Sequence, residues 1–223
     1  MLFTFIFEFS LAFYTLVRYR MVPLARMATF FLVLLGTFQL AEYVICVQGG
    51  GVGWARIGFV AITLMPMVGV FITSSLAPVG KLLKWGGVAC AGIFVALTAL
   101  YPSLITGAYC GGNYVILHQS PYLEPWYGIY YLGFIIVPMW ILFRHIKKER
   151  SRFFRSGDYW LIIGILAFLI PTGIVYILSQ SARDAVPSIM CGFALTFSIV
   201  LALKVVPIVA FGLRLVHKRY RHT

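Results

Sequence analysis

Met27-Ala-Thr-Phe-Phe-Leu-Val-Leu-Leu-Gly-Thr-Phe-Gln-Leu-Ala-Glu-Tyr-Val-Ile-Cys-Val-Gln48 is an apolar run that carries one charge, Glu42. The hydrocarbon core of a bilayer takes about 20 apolar residues as a helix, so this run reads as a membrane span. Its flanks fit, with Pro23 before it and Gly49-Gly50-Gly51 after it. A charge at the bilayer centre costs about 2.5 to 3.5 kcal/mol, and an intramembrane carboxylate is by default a candidate functional site.

The whole chain follows this stretch. Of its 223 residues, 61% are hydrophobic and 11% are charged, against about 25% charged in an average soluble domain. A chain so apolar needs lipid as its solvent. Seven runs suit spans: 2–17, 27–48, 55–76, 84–102, 126–143, 159–180 and 186–213. The expected fold is therefore all-α, a single polytopic bundle of seven transmembrane helices. Pro66, Pro138, Pro171 and Pro207 fall inside spans, where kinks are expected. The first run has no basic segment before it and is followed by Arg18 and Arg20, which favours a membrane span over a cleaved signal peptide.

The net charge of +12 is sorted by side. Arg18, Arg20 and Arg26 follow the first span, and Lys81 and Lys84 follow the third. Arg144, Lys147, Lys148, Arg150, Arg152 and Arg155 follow the fifth, and Arg214, Lys218, Arg219 and Arg221 follow the seventh. All of these share one face of a seven-span bundle, while Arg56 and Arg183 lie on the other. The positive-inside bias then puts the N-terminus out and the C-terminus in. It assigns the basic charge to anionic lipid at the inner face, with no nucleic-acid role. The basic inner loop 144–158, which includes Phe153 and Phe154, is expected on the lipid surface or against a cytosolic or membrane protein partner. A multi-pass protein of the plasma (inner) membrane is the expected setting. The long outer loop 103–125 leads into an aromatic belt of Tyr122, Trp126, Tyr127, Tyr130 and Tyr131.

Polar side chains inside the spans gather toward the outer side. Gln39, Glu42 and Cys46 share one helical face, as do Arg56 and Thr63, and as do Ser188, Cys191 and Ser198. Thr172 and Tyr176 are in the outer half of the sixth span. An outward-facing polar pocket is expected from Gln39, Glu42, Cys46, Arg56, Thr63, Thr172, Tyr176, Ser188 and Cys191, with Arg56 as the charge partner of Glu42. A purely structural Glu42–Arg56 ion pair explains the same spacing. Counted from its own helix end, Glu8 falls at a depth like that of Glu42, which places it at the headgroup level or in the same site.

Three short motifs, Phe38-Gln-Leu-Ala-Glu42, Trp54-Ala-Arg56 and Pro187-Ser-Ile-Met-Cys-Gly-Phe193, resemble an uncharacterised group of small bacterial seven-helix integral membrane proteins. The resemblance spans most of the chain. It implies the seven-helix fold and brings no activity with it. A fainter similarity, to microbial rhodopsins, rests on Leu203-Lys204-Val205, Phe211-Gly-Leu213, and Arg56 with Thr63 and Pro66. That similarity implies a retinal Schiff base on Lys204. The chain departs from that family at Val200, one turn before the lysine, and at Phe59, where a counterion would stand. Lys204 also points about 140° from the Ser188/Cys191/Ser198 stripe, within snorkelling reach of the inner face.

No catalytic constellation is legible. His145, His217 and His222 fall on the inner side and His118 on the outer, so a three-histidine zinc centre does not assemble on this topology. Cys46, Cys110, His118 and Cys191 are the candidates for a mixed metal site, and Cys46–Cys110 is the alternative as a disulfide across the outer loop. Ser188 with His118 as nucleophile and base has no spacing to support it. Asn113 is not a glycosylation acceptor. The expectation is a non-enzymatic, receptor-like protein or accessory membrane subunit that binds a small molecule, ion or lipid at Glu42. A proton or ion channel or transporter is the alternative, and a retinal photoreceptor and a membrane metalloenzyme stand behind it.

Overall fold

The computed structural model describes residues 1–111, 114–178 and 185–220, without the side chains of 187 and 216–220. Gly112, Asn113, Arg183, Arg221 and His222 therefore lie outside the described residues, as does the end of the sixth expected span. The helices are α1 (Leu2–Tyr19), α2 (Pro23–Gln48), α3 (Val52–Ser74), α4 (Lys81–Leu100), α5 (Glu124–Ile146), α6 (Arg152–Leu178), α7 (Val186–Val200) and α8 (Val206–Tyr220). A π-helical turn, Leu201–Val205, joins α7 to α8, so the two form one rod. Counting that rod once, seven helices among the described residues are long and apolar enough to cross a membrane. This is the architecture of a multi-pass membrane protein.

The packing follows from which helices are apolar on more than one side. α2 and α3 are buried along most of their length, whereas α1, α4 and α5 bury a single stripe. α1 packs on α2, α2 on α3 and α7, and α6 on α7, with α4 and α5 flanking α3. The α1 stripe is Glu8, Leu11, Ala12 and Thr15, one helical face. α1 and α2 approach closely at Gly36, where any Cβ would come within 2.6 Å of the Phe9 ring. α2 ends at Gly49, whose φ of 68° is left-handed, and the Gly50 N–H returns to the Val44 carbonyl at 2.9 Å. The π turn precedes Pro207, which has no N–H to bond the carbonyl of Leu203. The wider turn accommodates that mismatch within the helix.

Two differences from the sequence expectation affect the ends of the bundle. First, the loop expected at 103–125 contains a β-hairpin, β1 (Ile105–Cys110) and β2 (Val115–Gln119), paired antiparallel with Cys110 opposite Val115 and an irregularity at Thr106. Hairpin residues Ile105, Val115, Ile116 and Leu117 are buried, and the hairpin lies across the ends of α2 and α3. A disulfide joins Cys110 to Cys46 near the end of α2. Second, α6 begins seven residues earlier than expected, so Arg152, Arg155 and Asp158 are helical. Asp158 is fully buried, and its carboxylate meets His145 Nδ1 at 2.7 Å, while His145 Nε2 is 3.5 Å from Glu149. This pins the end of α5 to the start of α6 at the basic end of the bundle.

His145→Ala leaves the Asp158 carboxylate buried without its donor. The expected cost is about 1 to 3 kcal/mol, read as a lower melting temperature of the protein in lipid nanodiscs. An unchanged melting temperature would show that the pair contributes nothing to stability.

Candidate functional site

At the hairpin end, three elements meet on Glu42. The Ser188 hydroxyl, two residues into α7, donates to Glu42 Oε1 and accepts the Val115 N–H of β2 at 3.2 Å. Glu42 and Ser188 are both buried. The link therefore ties the outer part of α2, the first turn of α7 and the hairpin into one network. A buried carboxylate needs donors, and a hydroxyl facing it with an N–H behind supplies them in a polarised chain. One turn along α2, Gln39 is buried and its side-chain amide lies 2.9 Å from the Thr4 hydroxyl of α1.

The remaining expected site residues divide. Cys191 is buried one turn below Ser188 and close enough to Glu42 and Glu8 to feel their charge. It belongs to the cluster. Cys46 is in the disulfide that holds the hairpin. Arg56 does not pair with Glu42: it turns toward the end of α4 and donates to the Pro102 carbonyl at 3.1 Å. The expected Glu42–Arg56 ion pair is thus replaced by Glu42–Ser188. Thr63 forms a separate group, with its hydroxyl on the Phe59 carbonyl at 2.7 Å and 3.3 Å from the Tyr127 hydroxyl. Tyr130 donates to the Thr63 carbonyl at 2.6 Å. Thr172 is buried with its hydroxyl on the Phe168 carbonyl, and Tyr176 is half exposed on the bundle surface.

Glu8 is placed differently from its expected depth. It is wholly buried, on the stripe that packs against α2. Its Cβ lies beside Gly36, six residues before Glu42 on α2, which sets it about 9 Å deeper than Glu42. The depth count failed because α2 projects past α1 at the hairpin end.

Neither the metal candidates nor the Schiff-base candidate converge. Cys46 and Cys110 are bonded to each other, so they offer no thiolate. His118 lies on the exposed side of β2 against Tyr109, with ring centroids 5.1 Å apart, and cannot serve Ser188 as a base there. Among the described residues, no three His, Cys, Asp or Glu side chains form a group able to hold a metal ion. Lys204 is exposed in the π turn, with Nζ 5.6 Å from the Trp160 ring centroid on α6.

A narrow apolar cleft of about 50 Å³, partly open to its surroundings, lies between α3, α5, α6 and α7. Its walls include Met65, Pro66, Tyr131, Phe168, Cys191 and Phe197. This space has no signature in the sequence, because its lining is ordinary helix-packing residues. Cys191 stands at its hairpin side and so joins the cleft to the polar cluster. Lys204 is absent from its lining, two turns past Phe197. No protein-family model, curated protein sequence or solved structure matches the chain.

Ser188→Ala removes the donor to Glu42 and the acceptor of the Val115 N–H together. It is expected to cost about 1 to 3 kcal/mol and to raise hydrogen exchange at Val115 and its neighbours. A variant with wild-type exchange in β2 would show that the network does not hold the hairpin.

Proposed function

We propose that the chain is a multi-pass protein of the plasma membrane that binds a small ligand at Glu42 beneath the hairpin. In this reading it acts as a receptor-like protein or accessory membrane subunit and not as an enzyme. The Glu42–Ser188–Val115 network carries the proposal. A group that competes for the Glu42 carboxylate would release Ser188, and with it both the hairpin and the start of α7. Binding energy at one carboxylate would thereby reach a surface lid and a helix that runs the depth of the bundle. With Arg56 turned away, the cluster presents carboxyl and hydroxyl acceptors and suits a cationic or hydrogen-bond-donating head group. The cleft beyond Cys191 would take an apolar tail. No concave outward pocket is needed for this, since access would follow movement of the hairpin.

The charge pattern supports an orientation with the hairpin outside and the basic end on anionic lipid. Arg144, His145 and the start of α6 would then form the inner surface available to a protein partner. A reporter active only in the cytoplasm is expected to work when fused after Thr223 and to fail when inserted at Gly111. The reverse pattern would contradict the orientation.

Ligand binding is tested by thermal unfolding in nanodiscs with a series of primary alkylamines of increasing chain length. Stabilisation by a bound ligand reaches about 2.7 kcal/mol at a hundredfold excess over Kd. The expected result is stabilisation that grows with chain length and is lost in Glu42→Gln. Stabilisation that survives Glu42→Gln unchanged would remove Glu42 from the site.

A further inference from the structure

We propose that Glu8 is a membrane-buried proton-binding site, set where the buried stripe of α1 meets α2 and α7 and continued by unpartnered hydroxyls toward the basic end. The inference goes beyond ligand binding at Glu42 and does not depend on it.

Glu8 has no exposed surface, and among the described residues neither of its carboxyl oxygens has a hydrogen-bond partner. Its neighbours on the stripe and across it, Phe9, Leu11, Gly36 and Leu32, offer no donor side chain. An ionised carboxylate held this way lacks compensation for its lost hydration. A neutral carboxylic acid, or a carboxylate with a proton delivered to it, does not carry that cost. The titratable groups that face Glu8 are Glu42 from α2, Cys191 from α7 and the α-amino group of Met1 on its own helix. Like charges on Glu8 and Glu42 oppose each other, which couples the two carboxyl groups.

A path beyond Glu8 is marked by a second observation. Hydroxyls inside these helices ordinarily bond the carbonyl one turn back, as Thr37 does to Val33, Thr63 to Phe59, Thr98 to Phe94 and Thr172 to Phe168, each at 2.7 Å. Thr15 and Thr29 break the pattern: both hydroxyl oxygens are buried and neither has a partner among the described residues. Thr15 is seven residues after Glu8 on the same face of α1 and is itself fully buried. The antiparallel register that sets Thr4 beside Gln39 and Glu8 beside Gly36 brings Thr29 to the level of Thr15. The step from Glu8 to this level is about 10 Å. The π turn of the seventh rod packs along the same seam through Ala202, which joins Leu11, Ala12 and Leu32 in one apolar cluster. Such turns recur at functional sites in helices. The unpartnered groups therefore line up from Glu8 toward the basic end.

The test uses the full chain in lipid nanodiscs treated with dicyclohexylcarbodiimide, an apolar reagent that attaches to protonated carboxyl groups, across a pH series. Adducts are mapped by mass spectrometry, and infrared spectra record the carbonyl stretch of protonated carboxylic acids. The expected result is an adduct on Glu8 that declines about tenfold per pH unit above its midpoint. It is unchanged by sodium or potassium, and its midpoint moves in Glu42→Gln. The infrared band is lost in Glu8→Gln, which keeps the wild-type melting temperature because one neutral group replaces another. Protection of Glu8 by sodium would overturn the proposal in favour of a metal-cation site. Absence of both the adduct and the band at every pH would overturn it in favour of an ionised Glu8.

Discussion

A carboxyl group buried among apolar helices must find a donor or keep a proton, and this protein meets that constraint in three ways. Glu42 takes the hydroxyl of Ser188. Asp158 takes the imidazole of His145. Glu8 takes neither: among the described residues its buried oxygens have no hydrogen-bond partner. The first solution joins α2 to α7 and to the hairpin, the second joins α5 to α6, and the third lies between them in depth. The first two each fix a different contact of the bundle.

The hairpin end and the basic end are built for different purposes. At the hairpin end, two independent ties hold the β-strands down: the disulfide to Cys46 and the Val115–Ser188 bond. Both can be broken by chemistry, one by reduction and one by competition for Glu42. At the basic end the tie is the His145–Asp158 contact and the surface is cationic, with Arg144 stacked 3.6 Å over Trp140. Between the two lies the cleft, reached from the polar cluster through Cys191. A ligand that moved the hairpin would act on α7 at its first turn, and the rod of α7 and α8 extends to the opposite end. That continuity is the physical basis for reading the protein as receptor-like.

Spans and polar stripes were legible in the sequence because both follow from composition and helical period, which act locally. Gln39, Glu42, Ser188 and Cys191 were therefore found together, and the outward direction of Lys204 followed from 100° per residue. What failed was anything set by the offset between helices. The end of α1 sits deeper than the end of α2, so a count from that end sets Glu8 too shallow. Arg56 shares the right level with Glu42 but faces the end of α4, a choice fixed by the chain leaving α4 at Pro102. The hairpin was hidden because its strands are short and its burial is supplied by helix ends far away in sequence. Asp158 looked like part of a turn, since Ser156-Gly157-Asp158 reads as one, yet α6 had already begun. The unpartnered Thr15 and Thr29 carry no signal at all until their carbonyl neighbours are located.

The hairpin covers the Glu42 cluster and is held there by its two ties. Cys191, a buried free thiol beside Glu42, reports on the seal directly. The measurement is its reaction with a membrane-impermeant maleimide applied from the hairpin side, mapped by mass spectrometry. Wild-type protein is compared with a Cys46→Ser, Ser188→Ala double variant whose fold is checked by its melting transition. Cys191 is expected to be protected in the wild type and labelled in the double variant. Equal labelling of Cys191 in both proteins, or equal protection in both, would contradict it.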